Sequence, residues 1–157
     1  MEKILVAGIG NIFLGDDGFG VEVAQRLAAE DLPDDVQVRD FGIRGLHLAY
    51  EMLDGGYGTT VLVDASPRGG KPGSLYLIEP ELDNLEASQA DEHSMHPGAV
   101  FATLKALGGV PGRVLMVGCE PQSTDEGIGL SAPVANAVGE AVQFLREIID
   151  RERARRD

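Results

Sequence analysis

The segment Leu5-Val6-Ala7-Gly8-Ile9-Gly10-Asn11-Ile12-Phe13-Leu14-Gly15-Asp16-Asp17-Gly18-Phe19-Gly20 constrains the fold most. It grows out of Lys3-Ile4-Leu5-Val6-Ala7, a short apolar run of buried-strand type. A glycine-rich turn follows, then two adjacent carboxylates, and then a helix opens. Such a turn brings backbone and acid groups close to whatever binds at the sheet edge. The dinucleotide reading fails on one residue. Its Gly-x-Gly-x-x-Gly fingerprint needs a third glycine so that helix and strand pack closely. Gly8 and Gly10 fit, but Phe13 holds the third place. No Gly-Lys-Ser/Thr follows, so the Walker pattern is absent too. Asp16 and Asp17 stand where a phosphate would need donors rather than negative charge. For Asp16 the plain reading is an acid that complements the dipole of the following helix.

Strand and helix patterns then alternate. Val21 to Asp31 places Val23, Ala24, Leu27 and Ala28 at helical spacing and stops near Pro33. Val36 to Arg39 alternates like a second strand and ends at Asp40. Leu46, Leu48, Ala49, Met52 and Leu53 predict a second helix, closed by Gly55-Gly56. Thr59 to Val63 reads as a third strand that ends at Asp64. Between Val63 and Leu75 there is no helical pattern, whereas a parallel crossover needs about a dozen residues. Ser74 to Ile78 is therefore predicted to run antiparallel to the strand ending at Asp64. After an acidic loop comes His93-Ser94-Met95-His96-Pro97. Gly98 to Leu107 looks helical, Arg113 to Val117 forms another strand, and Leu130 to Asp150 makes a long final helix. The order predicts an α/β fold, a three-layer α/β/α sandwich in one domain spanning residues 1–157. Its sheet is mostly parallel, of about five strands, with one strand antiparallel.

Composition removes several classes of function. A formal net charge of −13 opposes nucleic acid, whose phosphates it would repel. No apolar run approaches the roughly 18 residues of a membrane helix, so no membrane association is expected. No signal peptide is read before the first strand, and the one cysteine, Cys119, suits a reducing cytoplasm. Cys119 reads as a buried structural thiol after Leu115-Met116-Val117-Gly118. The basic tail from Arg151 to Arg156 reads as a solvated helix end, its cations at the negative pole of the dipole. At 157 residues the chain can bury its own core, and a monomer is expected.

In open parallel sheets functional groups collect beyond the carboxyl ends of the strands. Three predicted strands lead to an aspartate there: Asp17 past the first turn, Asp40 after the second strand, Asp64 after the third. Singly, each reads as a turn former or helix cap. Together they repel unless a cation or a proton lies between them. His96 can add a nitrogen ligand from its loop. His93 lies three residues away, but Pro97 disfavours the helix that would align the two. His47 falls in a helical pattern, partly buried or on the surface. Two carboxylates and an imidazole suit zinc, nickel or another borderline divalent ion.

At this point the chain resembles the hydrogenase maturation endopeptidases. The matching residues are Gly8-Ile9-Gly10-Asn11, Gly15-Asp16-Asp17-Gly18-x-Gly20, Asp40-Phe41-Gly42-x-x-Gly45 and Val63-Asp64-Ala65. Ser94-Met95-His96, Gly118-x-Glu120-Pro121 and Gly129-Leu130-Ser131 continue them in the same order. The resemblance implies a phosphorylase/hydrolase-like fold and an aspartic-type endopeptidase. Its substrate would be the large-subunit precursor of nickel–iron hydrogenase, shortened at the C-terminus after nickel is inserted. It implies that Asp17, Asp64 and His96 are the catalytic, metal-contacting triad, with the nickel supplied by the precursor. The first of these is often glutamate in the family, so Asp17 reaches less far by one methylene. Asp40, Gly42 and Gly45 are implied as substrate-binding residues, and Ile43 stands where the family often has threonine. The chain holds no His-Glu-x-x-His, serine elbow or catalytic-cysteine context, so the protease reading rests on the resemblance. A non-catalytic nickel-sensing or escort protein would use the same cleft.

Overall fold

The computed structural model describes residues 2–80 and 97–155. Alternating apolar residues sort its central strands between two layers of helix. Strand β1 (Lys3–Ile9) is followed by a 3-10 turn (Gly15–Gly18) and helix α1 (Phe19–Ala28). Then come β2 (Val36–Gly42), α2 (Gly45–Asp54), β3 (Tyr57–Ala65) and β4 (Leu75–Ile78). Helix α3 (Pro97–Ala106), β5 (Arg113–Cys119) and α4 (Ala132–Ala154) complete the order. The sheet runs β2-β1-β3-β5-β4. Four strands are parallel and β4 is antiparallel.

One face of the sheet presents Ile4, Val6, Val61, Val63, Leu115 and Val117 to Phe19, Val23 and Leu27 of α1 and to the apolar stripe of α4. The other presents Leu5, Ala7, Leu62 and Val114 to Leu48 and Met52 of α2 and to Phe101 and Leu104 of α3. Side chains alternate between the faces of a strand, so β1 and β3 feed both cores. This is the expected α/β/α sandwich. No helix among the described residues is long and apolar enough to cross a membrane.

Two local expectations need correction. The second strand does not end before Asp40: Gly8 pairs with Asp40, and Gly10 N–H donates to Gly42 O, so pairing with β1 carries β2 to Gly42. The third does not end before Asp64, because Asp64 and Ala65 still pair with Gly118 and Cys119 of β5. Strand β4 runs antiparallel to β3 as expected, and it pairs with β5, which lies between the two.

Helix α1 lies close on the sheet because of Gly20. A Cβ there would overlap the carbonyl oxygen of Val63 and crowd that of Ile9. The close-packing glycine missing from the fingerprint is thus supplied at Gly20, while Phe13 stands 60% exposed.

Candidate active site

The β1 ladder stops at Ile9, and the chain turns over the sheet edge through Gly10 at φ +129°. A side chain at Gly10 would overlap the Asp17 carbonyl oxygen and begin 3.2 Å from Asp64 Oδ1. Its absence lets the Asp17 turn settle over the end of β3. Asp17, half-buried, accepts a 2.8 Å hydrogen bond at Oδ2 from the Asn11 amide. Asp64 is buried, and its Oδ1 accepts a 2.8 Å bond from the Ala65 amide.

The electrostatics of this pair are unfavourable as built. Burial pushes the Asp64 carboxyl well above the ordinary carboxylate range, and the Asp17 charge pushes it further. The Ala65 amide offsets only part of this. Asp64 is thus a carboxyl that holds its proton more readily than a free aspartate does.

Asp40 lies elsewhere. It is half-buried on β2, receives Gln25 Nε2 at 3.3 Å and faces Arg44 at 3.8 Å. The Arg44 guanidinium also donates to the Asp40 and Phe41 carbonyls. Asp40 and Gly42 line a cleft of about 340 Å³ together with Gly10, Asn11, Ile12, Phe13 and Ile43. Gly45 opens α2 and is not among the lining residues. The structure therefore brings Asp17 and Asp64 together and keeps Asp40 on the neighbouring cleft. His93 and His96 lie outside the described residues, and His47 is exposed on α2. Among the described residues no three His, Cys, Asp or Glu side chains are grouped to hold a metal ion.

The cleft has an apolar rim. Ile12, Phe13 and Ile43 are exposed along it. Ile128, 79% exposed, follows Gly127, whose amide donates to Phe13 O at 2.8 Å.

Two carboxylates whose roles the sequence did not reveal hold this edge together. Asp16 is fully buried, and its oxygens accept four hydrogen bonds from Gln122, Ser123 and Ser131. Burial alone would raise its pKa, but these bonds bring it below the ordinary value. Glu120 Oε1 accepts from the Arg68 and Gly70 amides and from the Tyr76 hydroxyl, at 2.7–2.9 Å. It thereby pins the loop that follows β3, and the Tyr76 bond, then the Arg68 amide, hold its pKa low. No local signal marks either role, since their partners lie far away in sequence.

A model of the hydrogenase maturation protease family matches residues 21–148. The chain is 36% identical over 148 residues to a Methanocaldococcus jannaschii protein that carries the same family name, covering 92% of this chain and 94% of the relative. It superposes on a hydrogenase 2 maturation peptidase from a Thaumarchaeota archaeon with TM-score 0.73 and 32% identity, over 95% of this chain and 99% of the other. A hydrogenase maturating endopeptidase from Escherichia coli gives TM-score 0.78 at 27% identity, over 96% and 93%.

Proposed function

The chain belongs to the hydrogenase maturation protease family, and on that premise we propose that it cuts the C-terminal extension from the nickel-loaded large-subunit precursor of nickel–iron hydrogenase. The observation that carries this reading is the Asp17–Asp64 pair, one member buried and raised in pKa by burial and by the other's charge. Such a pair favours a cation between its members, and the precursor's nickel is that cation. The nickel is part of the substrate, so the pair distinguishes a loaded precursor from an empty one. His96 is proposed as the third contact. Asp40 and Gly42 flank the approach, and the rim of Ile12, Phe13 and Ile43 offers the extension an apolar surface. Asp17 and Asp64 would hold the precursor's nickel, which would supply the Lewis acidity to polarise the scissile carbonyl or activate water, so no side-chain nucleophile is required. The reaction is proposed for a monomer in the cytoplasm.

The test is to incubate the chain with nickel-loaded precursor and follow the precursor's mass. Shortening from the C-terminus is expected, and an unchanged mass with a matched precursor overturns the reading. Asp17→Ala, Asp64→Ala and His96→Ala should each slow processing by about 100-fold or more, the scale for losing a group that acts on the transition state. Full processing by all three variants removes the site assignment. Nickel held stably by the isolated chain without any cleavage would favour the escort reading instead.

A further inference from the structure

The turn that carries Asp17 has few hydrogen bonds of its own, among them Asp17 N–H to Leu14 O at 3.1 Å. It is a single 3-10 turn whose preceding residue, Leu14, makes no side-chain capping bond. One such turn constrains several dihedrals with very few hydrogen bonds of its own. The connection between β5 and α4 grips it. Asp16 Oδ1 accepts from the Ser131 amide at 2.7 Å. Its Oδ2 accepts from the Gln122 amide at 2.8 Å, the Ser123 amide at 3.0 Å and the Ser131 hydroxyl at 2.8 Å. The backbone answers in the other direction: Gly15 N–H donates to Gly127 O and Asp16 N–H to Ser123 O. Ser131 lies 115 positions along the chain from Asp16, so this is a tertiary clamp and not a local cap.

We propose that Asp16 is the positioning residue for Asp17, locking the turn to the β5–α4 connection so that the neighbouring carboxylate is held against Asp64. The inference rests on the reading of Asp17 as a nickel contact. A carboxylate suits the task because it accepts at both oxygens and offers no donor to clash with the converging N–H groups. Charge-assisted bonds of this kind are short and strong enough to offset the burial of the charge. Asp16 and Asp17 share a peptide bond, so any shift of Asp16 moves Asp17 with it. Displacing a reacting group by about 1 Å can cost on the order of 100-fold in rate. On the site side of the turn the Asn11 amide, which donates to Asp17 Oδ2 at 2.8 Å, reports that shift.

The test compares wild type, Asp16→Asn and Ser131→Ala as full chains, by amide hydrogen exchange and by precursor processing. In Asp16→Asn, exchange should quicken at Gln122, Ser123 and Ser131, and also at Asn11. The kcat should fall about 10- to 100-fold, as for partners that orient a metal-contacting group, with KM changed by no more than about twofold. Ser131→Ala removes one of the four bonds and should show the same pattern at lower amplitude. If Asp16→Asn does not fold, Ser131→Ala decides on the same measurements. Faster exchange at Gln122, Ser123 and Ser131 with Asn11 and kcat unchanged would make Asp16 merely structural and overturn the proposal. If wild type fails to process the precursor, the functional reading falls, and the Asn11 amide still decides whether Asp16 positions Asp17.

Discussion

Asp17 projects its charge onto the buried carboxyl of Asp64 across the space left by Gly10, and that repulsion adds to burial in raising the Asp64 pKa. The site therefore holds free energy that a proton can release. Proteins in general can give up stability where activity needs it.

The first prediction concerns the cost of that pair in the metal-free protein. The unfolded carboxyl titrates near its ordinary value of 3.8, and the folded one titrates well above it. Between those values the folded chain binds a proton that the unfolded chain releases, so stability falls as pH rises through the window. Below 3.8 the penalty vanishes. Asp64→Asn should therefore be more stable than wild type at neutral pH. The gain should disappear in acid. Thermal unfolding across that range checks it, and an advantage that grows on acidification would contradict the assignment. Asp17→Asn should give part of the same gain, because burial is the larger cause.

Gly20 and Gly10 should respond differently to alanine. At Gly20 the new methyl group meets the carbonyls of Val63 and Ile9, both locked in the sheet. Gly20→Ala is expected to lose about 3 kcal/mol or more, as overpacking against backbone does. At Gly10 the obstacle is the Asp17 carbonyl, on the turn that Asp16 clamps, and φ +129° is itself strained for alanine. Gly10→Ala should therefore cost both stability and processing. Urea unfolding and the processing assay, run together, distinguish the two.

Cys119 should be silent in the native protein. It is fully buried, and burial, followed by the charges of Asp16 and Glu120, pushes its thiol up to about 11. At neutral pH it is protonated and out of reach, whereas reagents attack the thiolate. Thiol modification should proceed only as fast as the protein opens, rising with urea. Rapid modification without denaturant would refute this.

Arg113 provides the control far from the site. It opens β5 at the opposite edge of the sheet and donates from Nε to the buried Glu152 at 2.7 Å. Arg113→Ala takes away that close partner, leaving Glu152 with Thr59 at 3.4 Å and Arg155 at 3.9 Å. A loss of about 1–3 kcal/mol is expected, with kcat for processing unchanged. A drop in kcat at constant stability would mean that the two edges are coupled.

Much of this was legible along the chain, because short-range physics sets it. Apolar runs and helical spacing marked the elements, and the short β3–β4 connection gave β4 its direction. Their ends were less legible: β2 and β3 run on through Asp40 and Asp64 because neighbouring strands offer ladder partners there. Three strand-end aspartates looked alike in sequence. The fold joins Asp17 to Asp64, while Gln25 and Arg44 engage Asp40.

The amino-acid sequence by itself determined the layered α/β/α plan, the glycine-rich turn and the acids it carries, since each follows from periodicity, turn chemistry and residue type within a short window. The tertiary structure decided which acids meet and what each does. Asp16 and Asp17 are neighbours of one residue type, yet one is closed on Gln122, Ser123 and Ser131 while the other faces Asp64. A carboxylate's role depends on its burial and its donors, and here those donors come from chain more than a hundred positions away.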